Sequence, residues 1–165
     1  KVRYQGKNLW CESLSHSLRK WSMHAPYNMY VKIAETCIGK GWIMYLDDDD
    51  VYTSKDSVGV IADHIIKNNE DTLLLFRMKR KSDCGQHIVP NDHFYSYHVA
   101  GHPIIQGEIG SGCVCFHSKY KEFTQWGHWS GDDYRTIKAL ERVIPRKEHL
   151  FDVLYDALEP GAGTV

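Results

Sequence analysis

Four consecutive aspartates, Asp47 to Asp50, end the apolar and aromatic run at 42–46 in the stretch "GWIMYLDDDDVY", and a second acidic pair, Asp132 and Asp133, opens "DDYRTIKAL". Like charges ~4 Å apart repel by only ~1 kcal/mol in water, and by several-fold more as the local dielectric falls toward interior values. A carboxylate cluster at the end of an apolar strand therefore calls for a positive partner. Carboxylate oxygens are hard ligands suited to Mg²⁺ or Mn²⁺, ions that take one or two protein carboxylates and fill their remaining positions with water and substrate phosphates. The other reading of the run is a solvated acidic turn that caps the next helix. A calcium EF-hand is excluded, because a loop counted from Asp47 needs Gly at its sixth position and Glu at its twelfth, where Tyr52 and Val58 stand. Asp132 and Asp133 suit two roles, charge complementarity at a helix N-terminus or abstraction of a proton from a reacting hydroxyl.

The elements that must position these groups follow from periodicity. Tyr27, Tyr30, Val31, Ala34, Cys37 and Ile38 recur at helical spacing and stop at the glycines of "GKG", Gly39 and Gly41, which predicts an amphipathic helix ahead of a buried strand at 42–46. Ser54 as N-cap, with Val58, Ile61, Ala62, Ile65 and Ile66 on one face, predicts a second helix. The continuous apolar run at 72–78 reads as a central strand. Beyond it, strand pieces are expected at 95–99 and 114–116, then helices at about 118–126 and 132–142, the last closing before Pro145. Alternating helices and strands with short turns imply a single-domain α/β fold, a sheet flanked by helices. In such sheets ligands collect outside the carboxyl ends of the strands, where Asp47 to Asp50 fall.

Composition excludes some alternatives. The 165 residues carry a formal net charge of -1, which favours neither nucleic acid nor an anionic membrane surface. The five cysteines lack the CxxC spacing of zinc sites, and Cys113 and Cys115 share one face of a strand, so buried free thiols are expected. Free thiols, no signal peptide and no apolar run of transmembrane length lead to a cytoplasmic expectation.

Taken together, the helix "YNMYVKIAETCIGKG", the strand ending in "LDDDD" and the later "GDDYRTIKAL" resemble a glycosyltransferase of the GT-A fold and family 2 type, over roughly residues 27–140. The resemblance implies a Rossmann-like mixed sheet, a UDP-sugar donor, a glycan or glycoprotein acceptor, and Mn²⁺ or Mg²⁺ as cofactor. It assigns Asp47, Asp48 and Lys32 to the nucleotide, and Asp49, Asp50 and a late histidine, His149, to the metal; which two of the four aspartates face the ion is left open by one residue. Asp133, with Asp132 beside it, would be the base of an inverting transfer. Members begin with an apolar strand and a base-recognising loop; nothing before Tyr4 supplies that strand, so an N-terminally truncated domain is expected. Two alternatives are a Mg²⁺-dependent haloacid-dehalogenase-like phosphatase, whose DxDx(T/V) motif "DDDDV" satisfies, and a catalytically inactive sugar-nucleotide-binding module.

Other groups have two readings each. Trp126 and Trp129 offer aromatic faces for an acceptor sugar or anchors for a loop. Gly110, Ser111 and Gly112 allow backbone to approach the donor sugar or form a bulge. His149 is equally an ordinary surface histidine. "RMKRKSD", residues 77–83, reads as a solvated strand end in preference to a phosphate contact, and His93 and His98, five apart on a strand, would face opposite ways.

Overall fold

The computed structural model describes residues 2–3, 10–11, 39–47, 50–82, 85–124 and 132–157. The expected helix at 27–38 lies outside them. Strands β1 (Val2–Arg3) and β2 (Trp10–Cys11) pair antiparallel as a separate ribbon. The main sheet contains β3 (Trp42–Met44), β4 (Val51–Tyr52), β5 (Thr72–Ser82), β6 (Gly85–Val89), β7 (Val114–His117) and β8 (Arg146–Ala157). Helices α1 (Ser57–Lys67), α2 (Asp92–Val99) and α3 (Asp132–Val143) connect them. The strand order is β3-β7-β5-β8-β4, with β6 pairing the far half of β5. Strands β3 and β5 are both antiparallel to β7, and β8 is parallel to β5, so the carboxyl ends of β3, β5 and β8 lie at one end of a mixed α/β sheet.

β5 is central, as its uninterrupted apolar run predicts. Leu73, Leu74, Leu75 and Phe76 are at most 1% exposed, each burial contributing ~1.5–3 kcal/mol. Ile137, Leu140 and Ile144 of and after α3, and Leu150, Leu154 and Tyr155 of β8, complete the same core. β3 is not the buried strand expected: among the described residues it pairs only with β7, and Trp42 to Tyr45 are half-buried. In α1 the inward face is Ser57, Val60, Ile61, His64 and Ile65, whereas Val58, Ala62 and Ile66 of the expected stripe are exposed. α1 begins at Ser57 after Asp56, not with Ser54 as N-cap, and on its inward face His64 reaches Glu148 of β8 at 3.2 Å.

The expected strand at 95–99 is helix α2. The aromatic, β-rich composition of "HFYSYHV" argued for a strand, but Asn91 caps a helix by accepting the Phe94 N–H at 3.1 Å. Two anchors then hold α2. The Tyr95 hydroxyl lies within hydrogen-bond reach of the Leu150 and Leu75 carbonyls, at 2.6 and 2.7 Å. Arg77, first of the supposedly solvated basic run, is 7% exposed; its Nε donates to the Pro90 carbonyl at 3.0 Å and its Nη2 to Asp92 at 2.6 Å. Residues 118–123 form a 3₁₀ turn where a longer helix was expected, and β8 follows Pro145 where no element was assigned. Among the described residues no helix is long and apolar enough to cross a membrane.

Candidate active site

The acidic turn lies beyond the carboxyl end of β3, and strand register fixes what surrounds it. The Asp50 N–H donates to the Asp47 carbonyl at 3.1 Å, turning the chain directly into β4. There Val51 pairs with Asp156 and Tyr52 with Tyr155, and Tyr155 pairs in turn with Met78 of β5. Paired residues of neighbouring strands share a sheet face, so Tyr52, Tyr155 and Met78 form one row. Tyr155 is 2% exposed; its hydroxyl contacts the Met78 sulfur and lies 3.9 Å from Cys113 Sγ.

Tyr155 and Cys113 register the electrostatic presence of both acidic groups. Burial raises the Tyr155 hydroxyl far above its ordinary value, and Cys113, Asp50 and Asp47 raise it further. Burial pushes the Cys113 thiol up to about 11, with Asp133 and Asp50 adding to the rise. The Asp47–Asp50 turn and Asp133, more than eighty residues apart in the chain, thus both act electrostatically on one contacting pair of side chains. Asp133 is half-buried at the start of α3, where its Oδ1 accepts the Tyr134 N–H at 2.7 Å. Its second oxygen is not needed for that cap.

The loop 110–113 that carries Cys113 is shaped by packing. A Cβ on Gly110 would stand 2.8 Å from Met78 Cε, and one on Gly112 would collide with the Tyr155 hydroxyl and stand 2.9 Å from its Cε1. The glycines therefore admit Met78 and Tyr155, and the segment 111–113 is a 3₁₀ turn rather than a bulge. Gly112→Ala is expected to cost about 1–3 kcal/mol, the usual penalty of overpacking, read as a lower urea midpoint with unchanged slope.

The remaining assignments divide three ways. Asp48, Asp49, Lys32, Trp126 and Trp129 lie outside the described residues, as does the Asp132 side chain. Ser111, half-buried, belongs to the loop at the site. His149 is drawn elsewhere: its Nε2 lies 2.6 Å from His98 Nδ1, and its ring packs edge-on against Tyr95. His98, 8% exposed, uses its other nitrogen to reach Glu141 at 2.9 Å. This Glu141–His98–His149 chain joins α3, α2 and β8. Its members come from three distant segments, and the strand expected at 95–99 concealed it. Among the described residues no three His, Cys, Asp or Glu side chains converge as a metal-ligand group. Cys113 and Cys115 are buried free thiols as expected, Cys115 pushed up by burial to about 12. No known family profile, curated protein or solved structure matches this chain.

Proposed function

We propose that the chain is a metal-dependent glycosyltransferase of GT-A architecture that moves a sugar from a nucleotide-diphosphate donor, a UDP-sugar, to a hydroxyl of a glycan or glycoprotein acceptor with inversion. One observation carries this reading: the acidic turn beyond the carboxyl end of β3 and Asp133 both act electrostatically on the contacting Tyr155–Cys113 pair. That end is where α/β sheets place ligands. Two sets of carboxylates there divide the work, one facing the leaving nucleotide and the other the incoming hydroxyl.

The donor chemistry of the acidic turn suits a hard divalent cation. Asp47 and Asp50 are oxygen donors, and an ion that shares its shell with substrate phosphates needs only one or two carboxylates. Asp47 and Asp50 would hold Mn²⁺ or Mg²⁺, which would supply Lewis-acid stabilisation of the charge on the departing diphosphate. Asp133 accepts the proton of the acceptor hydroxyl, and its fixed oxygen on the Tyr134 N–H leaves the other to face the substrate. Attack from the face opposite the leaving group inverts the anomeric carbon.

Saturating UDP with Mn²⁺ is expected to raise the melting temperature, a ligand at 100 times its Kd stabilising the fold by ~2.7 kcal/mol. Asp47→Asn should lose most of that rise. A rise that is independent of Mn²⁺ and unchanged in Asp47→Asn would refute the metal role of the turn. Release of free phosphate from simple phosphoesters, without nucleotide release from a nucleotide sugar, would favour the phosphatase instead.

A further inference from the structure

The basic run on β5 divides between the two sheet faces, and one residue of it shares the face of Tyr155. Met78 and Arg80 are two apart on β5 and share a face, the face of Tyr155 and Tyr52. Arg80 pairs with Ala157 of β8 on one side and with His87 of β6 on the other. The β4–β8 register, continued by one residue beyond Val51–Asp156, sets Asp50 opposite the same Ala157. Asp50 and Arg80 thus flank Ala157, their backbones two strand spacings or ~10 Å apart. Ala157, the residue between them, carries only a methyl group.

The other basic groups nearby are committed. Arg77 is bound to Asp92, and Lys79, on the opposite face, lies 3.8 Å from Asp156. Arg80 is half-buried and has no hydrogen-bond or ion-pair partner among the described residues. A half-buried guanidinium without a partner among the described residues, separated in strand register from Asp50 by the methyl group of Ala157, suits an anion site. A planar guanidinium recognises phosphoryl oxygens through two parallel hydrogen bonds.

We infer that Arg80 binds the diphosphate of the donor across Ala157 from Asp50, pairing its guanidinium with phosphoryl oxygens. The inference rests on the reading of the acidic turn as a diphosphate site. It assigns Arg80 a binding role in stabilising the leaving group, with His87 beside it on the neighbouring strand.

Titration calorimetry with inorganic pyrophosphate and Mn²⁺ tests this without any sugar or acceptor. Arg80→Gln should weaken pyrophosphate binding by about 10- to 100-fold, the loss of a charge-assisted pair. Ala157→Leu, which sets a bulkier side chain between Arg80 and Asp50 while leaving the charge, should weaken it comparably. Lys79→Gln removes the same charge from the opposite face and should stay within about twofold, being a screened surface group. Equal losses in Arg80→Gln and Lys79→Gln would reduce the effect to net charge and overturn the inference, as would unchanged affinity in Arg80→Gln or no pyrophosphate binding by the parent chain. Unchanged affinity in Arg80→Gln with a Mn²⁺-dependent UDP response intact would overturn the role of Arg80 alone. Loss of pyrophosphate binding in Arg80→Gln without glycosyl transfer by the parent chain would leave the anion site standing and remove the transferase.

Discussion

Asp133→Asn is expected to lower sugar transfer by about 10²- to 10⁴-fold, the usual contribution of a positioned general base, while nucleotide affinity stays within about twofold. The substitution is nearly isosteric. An asparagine oxygen accepts the Tyr134 N–H as the carboxylate does at 2.7 Å, so the start of α3 is kept. What is lost is the capacity to take a proton. If Asp133 only complemented the helix N-terminus, the variant would lose ~0.3–1 kcal/mol of stability and almost no turnover. Steady-state rates with parallel UDP titrations separate the two: unchanged turnover in a slightly less stable variant would assign Asp133 to the helix alone.

The second large effect is on stability against pH. Glu141, His98 and His149 form a half-buried chain in which His98 Nε2–H donates to Glu141 and the His149 Nε2–H donates to His98 Nδ1 when both rings are neutral. Burial, with His98 and Lys147 adding to it, lowers His149 to about 4 from an ordinary 6.5. Burial acts to raise Glu141, but the His98 hydrogen bond and Lys138 outweigh it and hold the carboxyl below its usual range. The unfolded chain therefore takes up a proton at His149 below pH 6.5 and the folded chain only near 4. Stability from this group is complete above 6.5 and falls as the pH drops from 6.5 to 4. The difference of about 2.5 pH units sets an upper limit of ~3 kcal/mol on the loss. His149→Gln keeps a donor for His98 and removes the titration. Urea midpoints of parent and variant between pH 7 and 4.5 should diverge, the parent falling more steeply; parallel curves would show that the chain carries no such linkage.

The parts legible in the sequence are those fixed by local pattern. The run at 72–78 could be central because it is apolar on both faces, and α3 because its period, acidic start and Pro145 agree. The turn after β3 was legible as a turn because four consecutive aspartates end the apolar run. Readings failed where tertiary contact outweighed composition. α2 carries strand-like residues yet is a helix, because Asn91 caps it and Tyr95 spans two strand carbonyls. β8 mixes charged and apolar residues, since its two irregular steps against β5 break strict alternation. The glycines of the 110–113 loop suggested a ligand, but the side chains they admit, Met78 and Tyr155, come from strands far away in sequence. The place of Arg80 opposite Asp50 depends on the register of three strands, which no local pattern specifies.

The most direct test of the central claim, one site built from the Asp47–Asp50 turn and Asp133, is a nucleotide-release assay across nucleotide sugars with Mn²⁺. The parent chain should release UDP from a UDP-sugar and gain rate with a hydroxyl acceptor, and Asp47→Asn and Asp133→Asn should each abolish release, the first with loss of UDP binding and the second without it. Release that persists in both variants, or that needs neither Mn²⁺ nor Asp133, would contradict the account.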